Sequence, residues 1–277
     1  AWREESMNGI ELAAAMRSGQ RAYGTLITSP SPHLPERLRN LGLDFVFIDT
    51  EHIPIDDHDL SWMCQVYSGM NLVPLVRIPG PDPYRASKVL DGGAGGIIVP
   101  YIETVEQVEA LRGAVKLRPL KGEKLAGVLD GSAPPGENLA GYLGERNEGK
   151  LLVINIESVP AVENLDQLLA VPDIDAVLIG PHDLSTSLEI PEQYDHPDFD
   201  RTVRLIIEKA RSSGIGAGIH FWENLEQEIE WARHGANLFL HSADVLLFTA
   251  ALKKDLSAAR AALGDDAVKT DDAVEAI

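Results

Sequence analysis

Three apolar runs in this chain each end on a polar cluster equipped for acid–base or metal chemistry. They are Phe45-Val-Phe-Ile-Asp49-Thr-Glu51-His52, Leu151-Leu-Val-Ile-Asn155-Ile-Glu157 and Ala176-Val-Leu-Ile-Gly180-Pro-His182-Asp183. A fourth run, Leu72-Val-Pro-Leu-Val-Arg77, ends on a cation. Glu157 and Asp183 offer two carboxylates with no thiolate, a hard oxygen set that suits Mg2+ or Mn2+, with Co2+ a further option. A 2-oxo acid could chelate such an ion through its carboxylate and keto oxygens, and the ion would act as a Lewis acid on a developing enolate. The plain alternative makes Glu157 a helix N-terminal charge and Asp183 a cap for the turn after Gly180-Pro181. Arg77 could hold a carboxylate or an enolate in its rigid fork, or simply form an ion pair with Asp49 or Glu51. His52 could be a general base oriented by Asp49 or Glu51, or a solvated loop histidine. At His182 the backbone amide matters more than the ring, because successive N–H groups there could bind a carboxylate. His220 also ends an apolar run, whereas His58, His196 and His234 read as surface residues.

Continuous apolar runs of this length suit parallel strands buried on both faces. Eight such strands are expected: Ala22 to Thr28, Leu43 to Asp49, Leu72 to Arg77, Gly96 to Pro100, Leu151 to Glu157, Asp175 to Gly180, Ile215 to His220 and Asn237 to His241. Helix-like segments lie between them at Asp57 to Tyr67, Pro83 to Leu90, Val105 to Lys116, Ala161 to Leu169, Asp198 to Ser212, Asn224 to Arg233 and Ala243 to Ala262. The alternation predicts an α/β fold, a (β/α)8 TIM barrel, whose carboxyl-end rim gathers the strand-terminal residues. A doubly wound sheet is the rival, but it carries a Gly-rich phosphate turn after its first strand, and Thr28-Ser-Pro-Ser-Pro is nothing like one. Residues 1–264 are expected to form one barrel domain and residues 265–277 an acidic tail that frays by default. The stretch from Leu117 to Lys150 breaks the rhythm, with a short helical piece from Glu137 to Arg146. It is expected to be a lid or a subunit contact, being too short to hold its own core.

Of 277 residues, 43 are acidic and 24 are Lys or Arg, giving a formal charge of −19. That balance argues against nucleic acid or an anionic membrane as partner, since both need clustered cations. No apolar run approaches the roughly 18–20 residues that span a bilayer, and Ala1-Trp-Arg-Glu-Glu shows no secretory signal. The one cysteine, Cys64, cannot form an internal disulfide, so a cytoplasmic protein is expected and buried packing is the reading for its thiol.

Taken together, Asp49-Thr-Glu51-His52, Arg77, Gly95-Gly-Ile-Ile-Val-Pro100-Tyr, Ile156-Glu157 and Gly180-Pro-His-Asp183-Leu-Ser185 resemble the HpcH/HpaI (aldolase/citrate lyase) family of metal-dependent class II pyruvate aldolases. The likeness runs in order from about Leu26 to Phe248. It implies that Glu157 and Asp183 bind the divalent metal, that Arg77 contacts the pyruvate oxygens, that Asp49 to His52 supply the base, and that amides at His182 and Asp183 hold the carboxylate. It also implies a homohexamer with an exchanged C-terminal helix. Two positions depart from the pattern. Asn155 stands where the family carries Gln, one methylene shorter in its reach to substrate, and Lys121-Gly122-Glu123-Lys124-Leu125 replaces a Gly-x-Arg-Gly loop that shapes the acceptor side. The resulting expectation is a lyase that cleaves a 4-hydroxy-2-oxo acid to a pyruvate-like 2-oxo acid and an aldehyde. A Schiff-base route lacks a strand-terminal Lys. The alternatives are a CoA-thioester lyase of the citrate-lyase branch, for which no dense basic cluster is present, and a non-catalytic 2-oxo-acid-binding barrel.

Overall fold

The structure, a computed structural model, describes residues 7–265. Eight strands, β1 (Ala22–Ile27), β2 (Phe45–Asp49), β3 (Val73–Arg77), β4 (Gly96–Val99), β5 (Leu151–Ile156), β6 (Ala176–Ile179), β7 (Gly216–Phe221) and β8 (Leu238–Ala243), close into a barrel in chain order. All are parallel to their neighbours. The first helices are α1 (Gly9–Ser18), α2 (Leu34–Leu38), α3 (Asp57–Ser68), α4 (Pro83–Asp91) and α5 (Val105–Lys116). Next come α6 (Gly122–Leu129), α7 (Glu137–Asn147), α8 (Val159–Glu163), α9 (Leu165–Leu169) and α10 (Pro181–Ser187), then α11 (Pro197–Ser212), α12 (Leu225–His234) and α13 (Asp244–Leu263). The expected (β/α)8 barrel is therefore the fold.

Alternation along each strand sorts side chains between two cores. Inward residues such as Phe45 and Phe47 of β2, Val73 and Leu75 of β3, Leu151 and Val153 of β5, and Leu238 and Leu240 of β8 fill the barrel. Outward residues pack under the helices. The amino end is plugged by α1, whose Leu12 and Met16 join the inner core. This helix opens on a capping box between Asn8 and Glu11 and ends on the left-handed Gly19;. Glycine is required beside it: a Cβ at Gly216 would sit 2.9 Å from the Met16 Cβ, and one at Gly218 would sit 2.0 Å from the Leu238 carbonyl oxygen. One inward step further toward the carboxyl end, the side chains turn polar: Asp49, Arg77 and Asn155. This change of chemistry at the end of an apolar run is what builds a site on the barrel mouth.

Three expectations change. The single helix expected from Ala161 to Leu169 is two short ones, α8 and α9, broken at Asn164, whose amide donates to the Glu103 carbonyl at 2.9 Å. Gly180-Pro-His-Asp is not a bare turn but the opening of α10, with Gly180 as its N-cap and Pro181 in its first turn;. The segment 117–150 is not a lid over its own barrel. Because α5 runs back from the carboxyl rim, α6 and α7 follow it at the amino-terminal side. There Glu148, Gly149 and Lys150 share a crevice with Met7 to Ile10. The acidic tail beyond residue 265 lies outside the described residues. Among the described residues no helix is long and apolar enough to cross a membrane. Cys64 is buried, and burial pushes its thiol up to about 12, which fits packing and no reactive role;.

Candidate active site

A cavity of about 580 Å³ opens at the carboxyl ends of the strands. His52, Arg77, Asn155, His182 and Asp183 all line it, together with Phe47, Gly180, Glu192, His220 and Trp222. The strand-end residues singled out from sequence are thus brought to one place.

Asp49 and Arg77 are register partners on β2 and β3. The guanidinium donates to Asp49 twice, from Nε to Oδ1 at 2.9 Å and from Nη2 to Oδ2 at 2.6 Å. Asp49 is fully buried and also accepts the Glu51 amide at 2.9 Å. Burial alone would raise its carboxyl, but the hydrogen bonds and charge of Arg77 outweigh that and hold it below the ordinary carboxylate range;. Its contribution to stability is therefore present above the unfolded-state value and is lost as pH falls through the lower folded-state one. Both oxygens accept from Arg77, so Asp49 positions the guanidinium. The Arg77 guanidinium carbon also lies 5.4 Å from the centroid of the Phe47 ring;. Nε and Nη2 are engaged with Asp49, and the other guanidinium donors are left for the cavity.

The carboxylate nearer His52 is Glu51. Its Oε2 lies 3.8 Å from His52 Nε2 and 3.1 Å from Arg77 Nε. That oxygen is sealed from solvent and receives no well-aligned hydrogen bond, so the contact with Arg77 is an ion pair at short range and not a second fork. The His52 side chain is 44% exposed. Tyr101, which in sequence only closes the motif that begins at Gly95, links two of these groups. It sits in the left-handed region at φ 57°, where its amide donates to Glu157 Oε1 at 2.8 Å. Its hydroxyl bonds Glu51, which, with burial and the surrounding carboxylates, pushes the phenol up to about 12. A non-glycine residue in that backbone conformation is costly and persists where its surroundings require it.

Glu157 is 5% exposed and follows directly on β5. Besides Tyr101 it accepts from Asn155 Nδ2, at Oε2 and 2.8 Å. Burial raises its carboxyl above the ordinary range, and the charge of Asp183 pushes the same way. Asn155 Oδ1 is buried without a partner. A buried carboxylate beside a second one, with an orphaned amide oxygen at hand, is a site short of positive charge. Glu157 and Asp183 fit a divalent cation of the oxygen-seeking kind. Gly180 makes room for this arrangement, since a Cβ there would lie 2.5 Å from Glu157 Oε2 and 3.1 Å from its Cβ. Gly180→Ala is therefore expected to keep the barrel but displace Glu157. A misplacement of about 1 Å can cost on the order of 10² in rate. Turnover and Mn2+ titration of the variant check this; wild-type values for both would show that the carboxylate position is not critical.

His182 and Asp183 stand in the first turn of α10, where backbone amides lack intrahelical acceptors;. The His182 ring points to Glu192, with 3.6 Å between Nδ1 and Oε1, and is half exposed. Elsewhere among the described residues, Asp56, His58 and Asp59 bring ligand atoms close enough to share an ion. That group is solvent-facing, and Asp56 Oδ1 is already taken by the His58 and Asp59 amides as the cap of α3.

Comparison with known proteins gives the same picture. The 2-keto-3-deoxy-L-rhamnonate aldolase of Salmonella gallinarum is 31% identical over 244 residues, covering 87% of this chain and 90% of that protein. Its counterpart in Klebsiella pneumoniae is 32% identical over 241 residues, covering 86% and 89%. Among solved structures, an HpcH/HpaI aldolase from Desulfitobacterium hafniense superposes with a TM-score of 0.78 at 27% identity, over 89% of this chain and 95% of the other. The citrate synthase SbnG superposes with a TM-score of 0.78 at 27% identity, over 92% and 99%. The family model for HpcH/HpaI aldolase/citrate lyase matches residues 23–251, from within β1 through β8 and into α13, and the chain belongs to that family.

Proposed function

We propose that this protein is a divalent-metal-dependent aldolase that reversibly cleaves a 4-hydroxy-2-oxo acid to pyruvate, or a related 2-oxo acid, and an aldehyde. The observation that carries the reading is the convergence of Arg77, His52, Asp183 and Asn155 on one cavity, with Glu157 buried behind Gly180. Glu157 and Asp183 would hold Mg2+, Mn2+ or Co2+, which when bound supplies a Lewis acid for the 2-oxo acid oxygens. The amides of His182 and Asp183 would receive the substrate carboxylate at the opening of α10. His52 would take the proton of the 4-hydroxyl, directly or through a water. The C3–C4 bond then breaks, its electron pair passes into the enolate of the 2-oxo acid, and the aldehyde leaves. Arg77, already fixed by Asp49, faces the developing negative charge with no reorganisation. Protonation of the enolate carbon completes the turnover.

Arg77→Lys keeps the charge but loses the planar fork that grips Asp49. A rate loss of about 10²–10³ is expected, the usual cost of removing one such donor. A folded Arg77→Lys protein with near-wild-type turnover would make Arg77 a rim ion pair only.

The aldolase reading itself is tested by assaying pyruvate with a panel of aldehydes, with and without EDTA. Addition products that vanish with EDTA and return with Mg2+, Mn2+ or Co2+ are expected; full activity after stripping would overturn the metal dependence. For assembly we place a homo-oligomer, a hexamer on the family's pattern, with α13 exchanged between copies. Its support is that α13 has no buried residue and leaves Leu247, Phe248, Leu252 and Leu256 exposed along it;. The acceptor-shaping part of Lys121 to Leu125 would then act on a neighbouring copy. A cytoplasmic location rests on the single, buried, unpaired cysteine;.

A further inference from the structure

His220 continues the inward positions of Gly216 and Gly218 on β7 and is 9% exposed, with its ring on the wall of the cavity. Its Nε2 lies 3.0 Å from the carbonyl oxygen of Ser242. A carbonyl oxygen can only accept, so Nε2 carries the proton and Nδ1 carries the lone pair. The Ser242 carbonyl is set by a local irregularity: Ser242 has φ 54°, where the β1–β8 register slips between Gly24 and Leu26;. Phe47 packs against the ring edge-on at 5.5 Å between centroids, and Trp222 lies 5.3 Å away on the cavity wall. Burial, with Arg77 acting in the same direction, takes the imidazole down to about 4, so it stays neutral near pH 7. No hydrogen bond among the described residues engages Nδ1, which leaves an acceptor turned to the cavity. Of the other groups offered to a ligand there, Arg77 and the α10 amides are donors, while the acceptors Asp183, Asn155 and His52 are committed by the aldolase reading to the metal site and to the 4-hydroxyl proton.

We infer that His220 is a specificity-determining residue, whose Nδ1 accepts a hydrogen bond from a hydroxyl group on the aldehyde half of the substrate. This rests on the aldolase reading above. Pyruvate and its enolate present only acceptor oxygens, which suit the donors, and they have no proton to give to Nδ1. The complementary donor must therefore come from the second substrate. A hydroxyaldehyde supplies it, and Trp222 offers an apolar face for its carbon chain. A site built to bond a hydroxyl discriminates against the analogue lacking it, because the buried acceptor is then left unpaired.

The test measures kcat/KM for aldol addition of pyruvate to 2-hydroxypropanal and to propanal, on wild-type protein, His220→Leu and His220→Gln. The quantity read is the ratio of the two values on one sample, from which any loss of folded protein cancels. In His220→Leu the ratio is expected to fall by about tenfold or more, the order set by a lost hydrogen bond at a buried site. His220→Gln should keep part of the preference, since its amide can donate to Ser242 and still offer an acceptor. A merely structural role would lower both aldehydes together, and a ratio within twofold of wild type in His220→Leu would overturn the assignment. If wild-type protein supplied with divalent metal turns over neither aldehyde, the aldolase reading falls and takes the assignment with it. Turnover whose ratio ignores His220 removes the assignment alone.

Discussion

Replacing Glu157 or Asp183 by Ala should remove divalent-cation binding and lower turnover by about 10³ or more. A Lewis acid at a developing enolate is worth several kcal/mol, and each 1.4 kcal/mol is about tenfold in rate. The two carboxylates are not equivalent. Glu157 is held by the Tyr101 amide and Asn155, and burial raises its carboxyl, a cost that a neighbouring cation would offset. Asp183 lies in the first turn of α10 on the cavity wall. Calorimetric titration with Mn2+ separates loss of the ion from loss of chemistry. Mass action adds a second readout, because an ion that binds only the folded state raises Tm. Mn2+ should raise Tm of the wild type and leave that of either variant unmoved. A variant that still binds Mn2+ with wild-type affinity would mean the ion sits elsewhere, with the exposed group at Asp56, His58 and Asp59 the next place to look.

His52→Ala should cost about 10²–10⁴ in rate, the usual worth of a positioned general base. The neutral imidazole is the form that accepts a proton, and alanine leaves nothing in its place. Glu51, with Oε2 3.8 Å from His52 Nε2, is the carboxylate beside His52, while Asp49 is committed to Arg77. Glu51→Gln should therefore act on turnover through His52. Asp49→Asn should act mainly on rate and stability through Arg77. If His52→Ala keeps the wild-type rate, the base is another group and His52 is a solvated loop residue.

The barrel could be read from the chain because buried parallel strands leave a continuous apolar trace ending abruptly in polar residues. Asp49, Arg77 and Glu157 mark those ends. All eight strands lie within two residues of where the apolar runs put them. What escaped has physical reasons. The plug helix α1 is short and alanine-rich, and its apolar stripe fits a barrel floor, a partner with no local signal in sequence. Asn164 splits α8 from α9 through a tertiary bond to Glu103, which is invisible along the chain. Of the lid or subunit contact expected at 117–150, the lid over the same barrel fails on direction: a helix following a strand returns to the opposite rim, so whatever follows α5 starts far from the mouth. At the site, residue types were legible but pairings were not. Sequence offered Asp49 and Glu51 equally to His52, and only the β2–β3 register gave Asp49 to Arg77. His220 ends an apolar run in sequence, and parity turns it inward, since Gly216, Gly218 and His220 share one face of β7. Tyr101 had no such signal, because its role depends on a left-handed backbone.

The most direct test of the account is deuterium uptake into the methyl group of pyruvate in heavy water, followed by NMR with no aldehyde present. It isolates enolate formation from acceptor binding. Exchange should require Mg2+, Mn2+ or Co2+, stop with EDTA, and be lost in Glu157→Ala and Asp183→Ala protein that remains folded by circular dichroism. Exchange that continues at the wild-type rate in chelator, or in either folded variant, would contradict it.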